Sequence, residues 1–287
     1  MVTIARHCIC CESARLEKSP AVLMPFVAKR VFGHEPVEIT AAWGLRDLKP
    51  GMAYSLCNSL QCQDCGVLFI DYRFDGEQMA ALYRGYRDDA YTRERDHYEP
   101  GYAATAANDF AHRHAYLADV ELWLSTHLPQ QPAVLDWGGD SGINTPFLGK
   151  SRLLHIHDIS NVALVEGAQR VSAWQLARQT YDLVVCSNVL EHVSYPLDLI
   201  REIIPALSVE TLFYLEVPHE ALMREHPGSL ELAPRKRHWH EHINFFTEQS
   251  VRKLLERAGM PVLAVHHLTI DLGWRKGAVM GFLAKLA

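Results

Sequence analysis

The chain has 287 residues, 48% of them hydrophobic and 22% charged, a globular composition that excludes a disordered chain, a collagen and a coiled-coil rod. Thirty-four acidic against 28 basic residues leave a formal net charge of −6 with neutral histidines, which implies no general affinity for nucleic acid or an anionic membrane. No apolar stretch approaches the ~20 residues of a membrane span, and the polar opening MVTIARHCICCES is expected to hold no export leader; the chain reads as cytoplasmic, with its cysteines reduced.

Three regions are expected: a zinc-binding module over 1–75, a helical connector or lid over 76–130, and an α/β domain over 131–287. Six of the seven cysteines fall in the first region. Cys8-x-x-Cys11 and Cys62-x-x-Cys65 form two knuckles, and four thiolates so spaced suit a tetrahedral Zn²⁺ with no open position. Gly66-Val-Leu-Phe after the second pair reads as a turn entering a strand, as in a zinc ribbon. Unmetallated core thiols are the alternative. A redox dithiol is disfavoured, because neither pair begins the helix of a βαβ unit. Cys10 and Cys57 are spare, and Cys10 can stand in for Cys8 or Cys11. The Tyr- and Arg-rich stretch 83–102 either caps a neighbouring pocket or is an amphipathic surface helix with Tyr anchors. Residues 109–128 read as one amphipathic helix.

From 131 onward short apolar runs alternate with helical stretches, the pattern of βαβ units and a parallel sheet. Strands are expected at 133–136, 153–158, 181–186, 212–217, 262–268 and 278–284. Helices are expected at 197–207 and 247–258, the second opened by Thr247 with Ser250 and Glu248 and closed by Gly259. Cys186, on a strand, reads as a small buried hydrophobe. Residues 218–247 show no element, and a connection that long is usually functional or a lid. In Ala133-Val-Leu-Asp-Trp-Gly-Gly-Asp-Ser-Gly142 a buried strand runs into a glycine turn that should open a helix. Asp158 ends the next strand, where an acid can accept hydrogen bonds from both hydroxyls of a ribose. Turn and acid together read as a site for a nucleoside-containing cofactor; a tight βα turn with Asp158 as a helix cap is the structural alternative.

These motifs resemble those of class I S-adenosylmethionine (SAM)-dependent methyltransferases. Motif I of that family is V-L-D-x-G-x-G-x-G; Gly138 and Gly142 match, and Asp140 replaces the middle glycine. HIHDIS (155–160), YDLVVCSNVLEHV (181–193), LFYLEVP (212–218) and HEHINFFTEQSVRKLLERAGM (240–260) follow in the family's order. The resemblance implies a Rossmann-like seven-stranded methyltransferase sheet with one antiparallel strand near the C-terminus. It also implies a methionine-side cradle from Asp136, Gly138, Gly139 and Gly142, with Asp158 on the ribose and Ile159 against the adenine. Ala173 and Trp174 fall in the adenine-contacting segment, where Ser172 replaces a common acid. Asn188 and Val189 would line the cofactor below the sulfonium, and His192 begins the next helix.

Cysteine knuckles ahead of such a sheet, followed by Leu82-Tyr83-Arg84-Gly85-Tyr86, resemble the sugar C-methyltransferases of deoxysugar biosynthesis. The match covers the zinc module and the methyltransferase core, not the further C-terminal domain of those enzymes. It implies structural zinc on Cys8, Cys11, Cys62 and Cys65, and a small sugar-like acceptor, nucleotide-linked or part of a glycan, contacted by Tyr83 and Tyr86. In His238-Trp239-His240-Glu241-His242, the last two residues align with the Glu-His pair those enzymes place at the reacting atom, and Trp239 replaces a nearby Tyr. His242 is the expected base, Glu241 its orienting carboxylate and His240 a further member of the site. A histidine titrating near neutrality suits removal of the acceptor's proton. A solvated histidine cluster is the bland alternative; a second metal is another, although H-E-H is not the H-E-x-x-H pattern of one helical face. Arg235-Lys236-Arg237 can meet a pyrophosphate or simply be solvated. Two rival functions remain: a nicotinamide-dependent oxidoreductase, whose G-x-G-x-x-G fails at Gly138-Gly-Asp-Ser-Gly-Ile143, and a non-catalytic interaction protein on an inactive fold.

Overall fold

The apolar runs of the second half form one sheet whose central strands are covered on both faces. Four of the five residues of Ala133–Trp137 and of Leu183–Ser187 are buried. The computed structural model describes residues 3–44, 50–176, 178–271 and 276–287. Its large sheet has seven strands in the order Gln169–Arg170, Leu153–His157, Ala133–Trp137, Leu183–Ser187, Leu212–Pro218, Lys276–Ala284, Val262–Asp271. The first five run parallel, and Lys276–Ala284 is antiparallel to both its neighbours. The strand order reverses between Ala133–Trp137 and Leu183–Ser187, so a crevice opens at their carboxyl ends, where open α/β sheets bind ligands.

Helix Glu248–Arg257 has the expected start and stop. Thr247 and Ser250 form a capping box, and Gly259 follows the cap Ala258 at φ 74°. Val251, Leu254 and Leu255 bury its apolar face. Helix Pro196–Ile203 begins beyond His192, which lies in a turn rather than opening the helix, and it passes into the 3₁₀ turn Ile204–Ala206, since Pro205 has no amide to continue the α-helical ladder. Cys186 is fully buried in the core.

Three local expectations change. The glycine turn opens no helix: residues 139–151 are successive turns joined by Gly142 N–H to Gly139 O (2.8 Å), Thr145 N–H to Gly142 O (3.2 Å) and Lys150 N–H to Phe147 O (2.9 Å). Pro146 and the left-handed Phe147 and Gly149 prevent an α-helical ladder there. The helix read over 109–128 is two helices, Tyr102–Ala111 and Leu117–Leu124. The segment between them is captured by that string of turns: Arg113 donates to the carbonyls of Ile143 (2.8 Å) and Thr145 (2.7 Å), and the His114 amide to Asn144 Oδ1 (2.9 Å).

The third change concerns 218–247, which holds helix Ala221–Glu225 and the strands His238–Trp239 and Asn244–Phe245. Those strands are the two edges of a five-stranded sheet whose middle is Leu16–Leu23, Ser55–Cys62 and Leu68–Ile70. Residues 1–75 thus supply three of its strands and the connection after Leu212–Pro218 supplies two. Trp239 is fully buried in this sheet, its Nε1–H donating to Ser59 Oγ at 2.9 Å. Arg73, 2% exposed, ties the sheet down by donating to Ser194 O and Asn244 Oδ1, each at 3.0 Å.

Candidate active site

The glycine turn is shaped by its neighbours. A Cβ on Gly138 (φ 84°) would lie 2.5 Å from Val189 Cγ2, and one on Gly139 2.6 Å from Asp136 Oδ2. Gly142 (φ 84°) faces Ile156 and Ala168 at 3.2–3.3 Å, so it serves packing against the sheet. Asp140, the departure from the glycine pattern, adopts φ 52°. Aspartate tolerates that left-handed conformation, and the turn keeps its course. The Asp140 amide donates to Asp158 Oδ2 at 2.8 Å, while its carboxylate pairs with Arg87 of the connector. The Ser160 amide donates to Asp158 Oδ1 at 2.6 Å. Two amides therefore aim the Asp158 carboxylate, and each oxygen keeps a second lone pair for a hydroxyl.

Ile159 beside it is 82% exposed, an apolar side chain at the lip of the crevice. Ala173 starts the short helix Ala173–Leu176; the side chains of Ala173 and Trp174 lie outside the described residues. On the floor Asp136, 4% exposed, accepts from Thr145 Oγ1 at 2.5 Å, and burial raises it to about 7. Val189 closes on Gly138. Asn188 (φ 54°) donates from Nδ2 to Glu216 Oε1 at 3.1 Å. Glu216 is a residue that sequence reasoning missed. It is fully buried and also accepts from Ser187 Oγ (2.7 Å), Tyr116 (2.9 Å) and Tyr214 (2.6 Å). The available signal was an acid inside the apolar run LFYLEVP, since a buried charge must be paired.

A second cluster lies next to the crevice. The His192 and His242 rings meet edge to face at 4.6 Å, and Tyr83 meets His192 at 6.1 Å. Tyr83, Tyr86 and Tyr91 meet edge to face in turn at 5.6 and 5.4 Å, so the connector walls the cluster with the half-buried rings of Tyr83 and Tyr86 backed by the buried Tyr91. His242 Nδ1 donates to Glu220 Oε1 at 2.7 Å, and His192 Nδ1 to the Glu241 carbonyl at 3.2 Å. Burial pulls the His242 pKa down, but the Glu220 bond and the Glu191, Glu220 and Glu241 charges outweigh it and raise the group overall. Burial, then the charge of His242, lowers His192 to about 4. Glu191, 1% exposed, is raised to about 8 by burial.

The expected Glu241–His242 pair is not formed. The Glu241 carboxylate pairs with Arg95, and His240 Nδ1 donates to Glu99 Oε1 at 3.0 Å. Neighbouring residues of an extended segment project in different directions, so Glu241 and His240 reach the connector helix Asp89–Tyr98 and its cap. Glu220, just after the strand Leu212–Pro218, takes the place beside His242. Trp239, expected near the acceptor, belongs to the core of the smaller sheet. A family profile described as "Methyltransferase domain" matches residues 110–265, which is more than half of the chain and includes the glycine turn, Asp158 and both histidines.

The chain belongs to this methyltransferase family.

The chain is similar to several solved structures. The 1,6-didemethyltoxoflavin-N1-methyltransferase of Burkholderia thailandensis, determined with 1,6-didemethyltoxoflavin and S-adenosylhomocysteine (SAH), is 18% identical, with TM-score 0.50 over 78% of this chain and 97% of that one. A SAM-dependent methyltransferase of Anabaena variabilis is 12% identical, covering 64% and 91% of the two chains at TM-score 0.44. Magnesium protoporphyrin IX methyltransferase of Synechocystis is 17% identical, covering 58% and 81% at 0.38. No curated protein matches the sequence. The protein is a SAM-dependent methyltransferase, and the nicotinamide alternative falls with that.

The methyltransferase also carries the cysteine group. Ligand atoms of Cys8, Cys11, Cys62 and Cys65 all lie within 4.8 Å of one another; Cys8 and Cys65 Sγ are 3.5 Å apart, as are Cys11 and Cys62. A zinc–thiolate tetrahedron with ~2.3 Å arms has edges of ~3.8 Å, so these residues fit the ion. Backbone amides of Cys10 and Cys11 point at Cys8 Sγ (3.4 and 3.5 Å) and that of Asp64 at Cys62 Sγ (3.4 Å). The Cys10 side chain, then that of Cys65 and the Cys11 and Cys10 amides, hold the Cys8 thiol well below its ordinary pKa. Cys10 is buried beside the group and is not a member of it. In the basic cluster, Lys236 Nζ lies 4.9 Å from the Trp239 ring and 4.4 Å from that of Phe245, and burial lowers it to about 8. Arg235 and Arg237 are exposed.

Proposed function

We propose that this methyltransferase moves the methyl group of SAM to an oxygen or carbon of a small sugar-like acceptor, nucleotide-linked or glycan, with His242 as the base. The observation that carries the reading is the His242–Glu220 hydrogen bond beside His192 and Tyr83, at the edge of the strand-order crevice. Asp136, Gly138, Gly139, Gly142, Asn188 and Val189 would hold the methionine side of the cofactor and Asp158 the ribose. Ile159, Ala173 and Trp174 would flank the adenine. Bound SAM supplies an electrophilic methyl on a charged sulfonium. The protein orients an acceptor against it and removes one proton. His242 accepts that proton, and Glu220 fixes its tautomer and steadies the resulting imidazolium; Glu241 and His240 hold the connector over the site through Arg95 and Glu99. Tyr83 and Tyr86 form an aromatic wall of the kind that packs against a sugar face. Zinc on the four cysteines has no open position and is structural.

Calorimetric titration with SAH, followed by turnover with a panel of sugar nucleotides, tests the reading. His242→Ala is expected to lower kcat by roughly 10²–10⁴-fold, the usual worth of a general base, with SAH affinity unchanged. Glu220→Gln should give a smaller loss of kcat. Full turnover in His242→Ala removes the base, and a panel without a single acceptor removes the sugar.

A further inference from the structure

Glu191 is 1% exposed, and neither carboxylate oxygen has a hydrogen-bond partner. A buried acid left so is costly unless something binds it. What faces it is two imidazoles: a ligand atom from each of Glu191, His192 and His242 lies within 4.8 Å of the others, and His192 Nε2 is 3.8 Å from Glu191 Oε1. Each ring already donates its Nδ1–H, His192 to the Glu241 carbonyl and His242 to Glu220. A donor bond at Nδ1 leaves the lone pair on Nε2 and fixes the ring, which is how metal-ligating histidines are held by a carbonyl or a carboxylate behind them. Glu191 and His192 sit just beyond the strand Leu183–Ser187, and the Ile243 and Asn244 amides clamp the Glu191 carbonyl at 2.8 and 3.1 Å. That clamp sets His242 opposite the pair.

We propose that Glu191, His192 and His242 form a binding site for a divalent transition-metal ion, ligated by one carboxylate and two imidazole Nε2 atoms. Two nitrogens and one oxygen suit Zn²⁺, Fe²⁺ or Co²⁺ better than Mg²⁺ or Ca²⁺. Three protein ligands leave positions open, and the role given to the ion rests on the reading of this cluster as the acceptor site. There it holds an acceptor oxygen and lowers the pKa of its proton. In the loaded protein His242 contributes as a ligand and the proton of the ion-bound acceptor hydroxyl leaves to solvent water before methyl transfer; the free-base role of His242 belongs to the ion-free form.

The test uses the full chain with zinc in the cysteine site and loosely held metal removed. Co²⁺ is titrated in and followed by its visible d–d absorption. Thiolate ligation would add intense near-ultraviolet bands and so report any exchange into the cysteines. SAH binding is measured on the same samples by calorimetry. The expected result is one Co²⁺ per chain with nitrogen–oxygen bands. Glu191→Gln and His242→Ala should lose it, and Glu220→Gln, behind the ligand, should weaken it roughly 10–100-fold. Retained SAH affinity certifies that each variant is folded. Wild-type protein that binds SAH but takes up no Co²⁺, or variants that bind Co²⁺ like wild type, overturns the site. Co²⁺ uptake lost in ligand variants that still bind SAH, in a wild-type protein that methylates no acceptor with or without the ion, upholds the metal site and removes the reading of the cluster as the acceptor site.

Discussion

Asp140 stands where the glycine pattern has a gap, and its φ of 52° keeps the turn open without a glycine. Gly138 has no such latitude. Gly138→Ala forces a Cβ to 2.5 Å from Val189 Cγ2 at φ 84°. It is expected to cost ~1–3 kcal/mol of stability, the usual range for local backbone strain, and to abolish measurable SAH binding; urea unfolding and calorimetry read the two effects. Asp136 makes a prediction in pH. Burial lifts it from an ordinary 3.8 to about 7, so between those values the native state holds a proton that the unfolded chain has lost. Stability from this group is full below the unfolded value and falls as pH rises through the folded one. Asp136→Asn should flatten that slope, by up to ~4 kcal/mol between the two limits at ~1.4 kcal/mol per unit, measured as unfolding free energy against pH. The glycine turn and the strand-end acids Asp136 and Asp158 were legible as local structure because chain-local motifs carry them. Glu220 and Glu216 were not, because their partners come from other strands and loops.

The cysteine knuckles do more than close a loop. The Cys65 carbonyl accepts from Thr247 Oγ1 at 2.6 Å, the Asp64 carbonyl from Gln249 Nε2 at 3.0 Å and the Cys10 carbonyl from Arg257 at 2.9 Å. Helix Glu248–Arg257 is therefore held at both ends by the cysteine-bearing loops. Stripping the metal with a chelator, or Cys62→Ser, should remove several kcal/mol of linkage energy and lower Tm by ~10 °C at ~2–4 °C per kcal/mol. Amide exchange should rise first around 62–66 and in the first turn of that helix. An unchanged Tm after complete metal loss would leave the four thiols as packing alone. The same interplay explains the helices. The 109–128 pattern is amphipathic throughout, yet Arg113 and the His114 amide find better partners in the turns after Gly142 than in a continued helical ladder.

The seven-stranded and five-stranded sheets draw on one shared stretch of chain. His238–Trp239 and Asn244–Phe245 close both edges of the smaller sheet, while Glu220 and His242 in the same stretch face the larger one. Although the family profile begins at residue 110, a fragment of 110–287 is expected to aggregate, because it would expose Trp239, Ile243, Phe245 and Phe246, all buried in the full chain. Gel filtration of that fragment checks this; a monomer with native SAH affinity would show the smaller sheet to be dispensable. Trp239→Ala in the full chain should cost ~3–5 kcal/mol, as for other buried aromatic truncations.

The sequence by itself determined the large sheet, the glycine turn at its strand-order reversal, the two cysteine knuckles and the capped helix after Thr247. Each rests on short-range rules: apolar runs for buried strands, glycines where φ is positive, an acid at a strand end, thiols two residues apart. Only the tertiary structure decided that Glu220 rather than Glu241 serves His242, that Glu191 faces two histidines without a hydrogen bond, and that residues 238–245 are sheet edges rather than a lid. Those outcomes depend on which distant backbone and side-chain groups remain to be satisfied once the core has closed. Neither spacing nor periodicity along the chain records that.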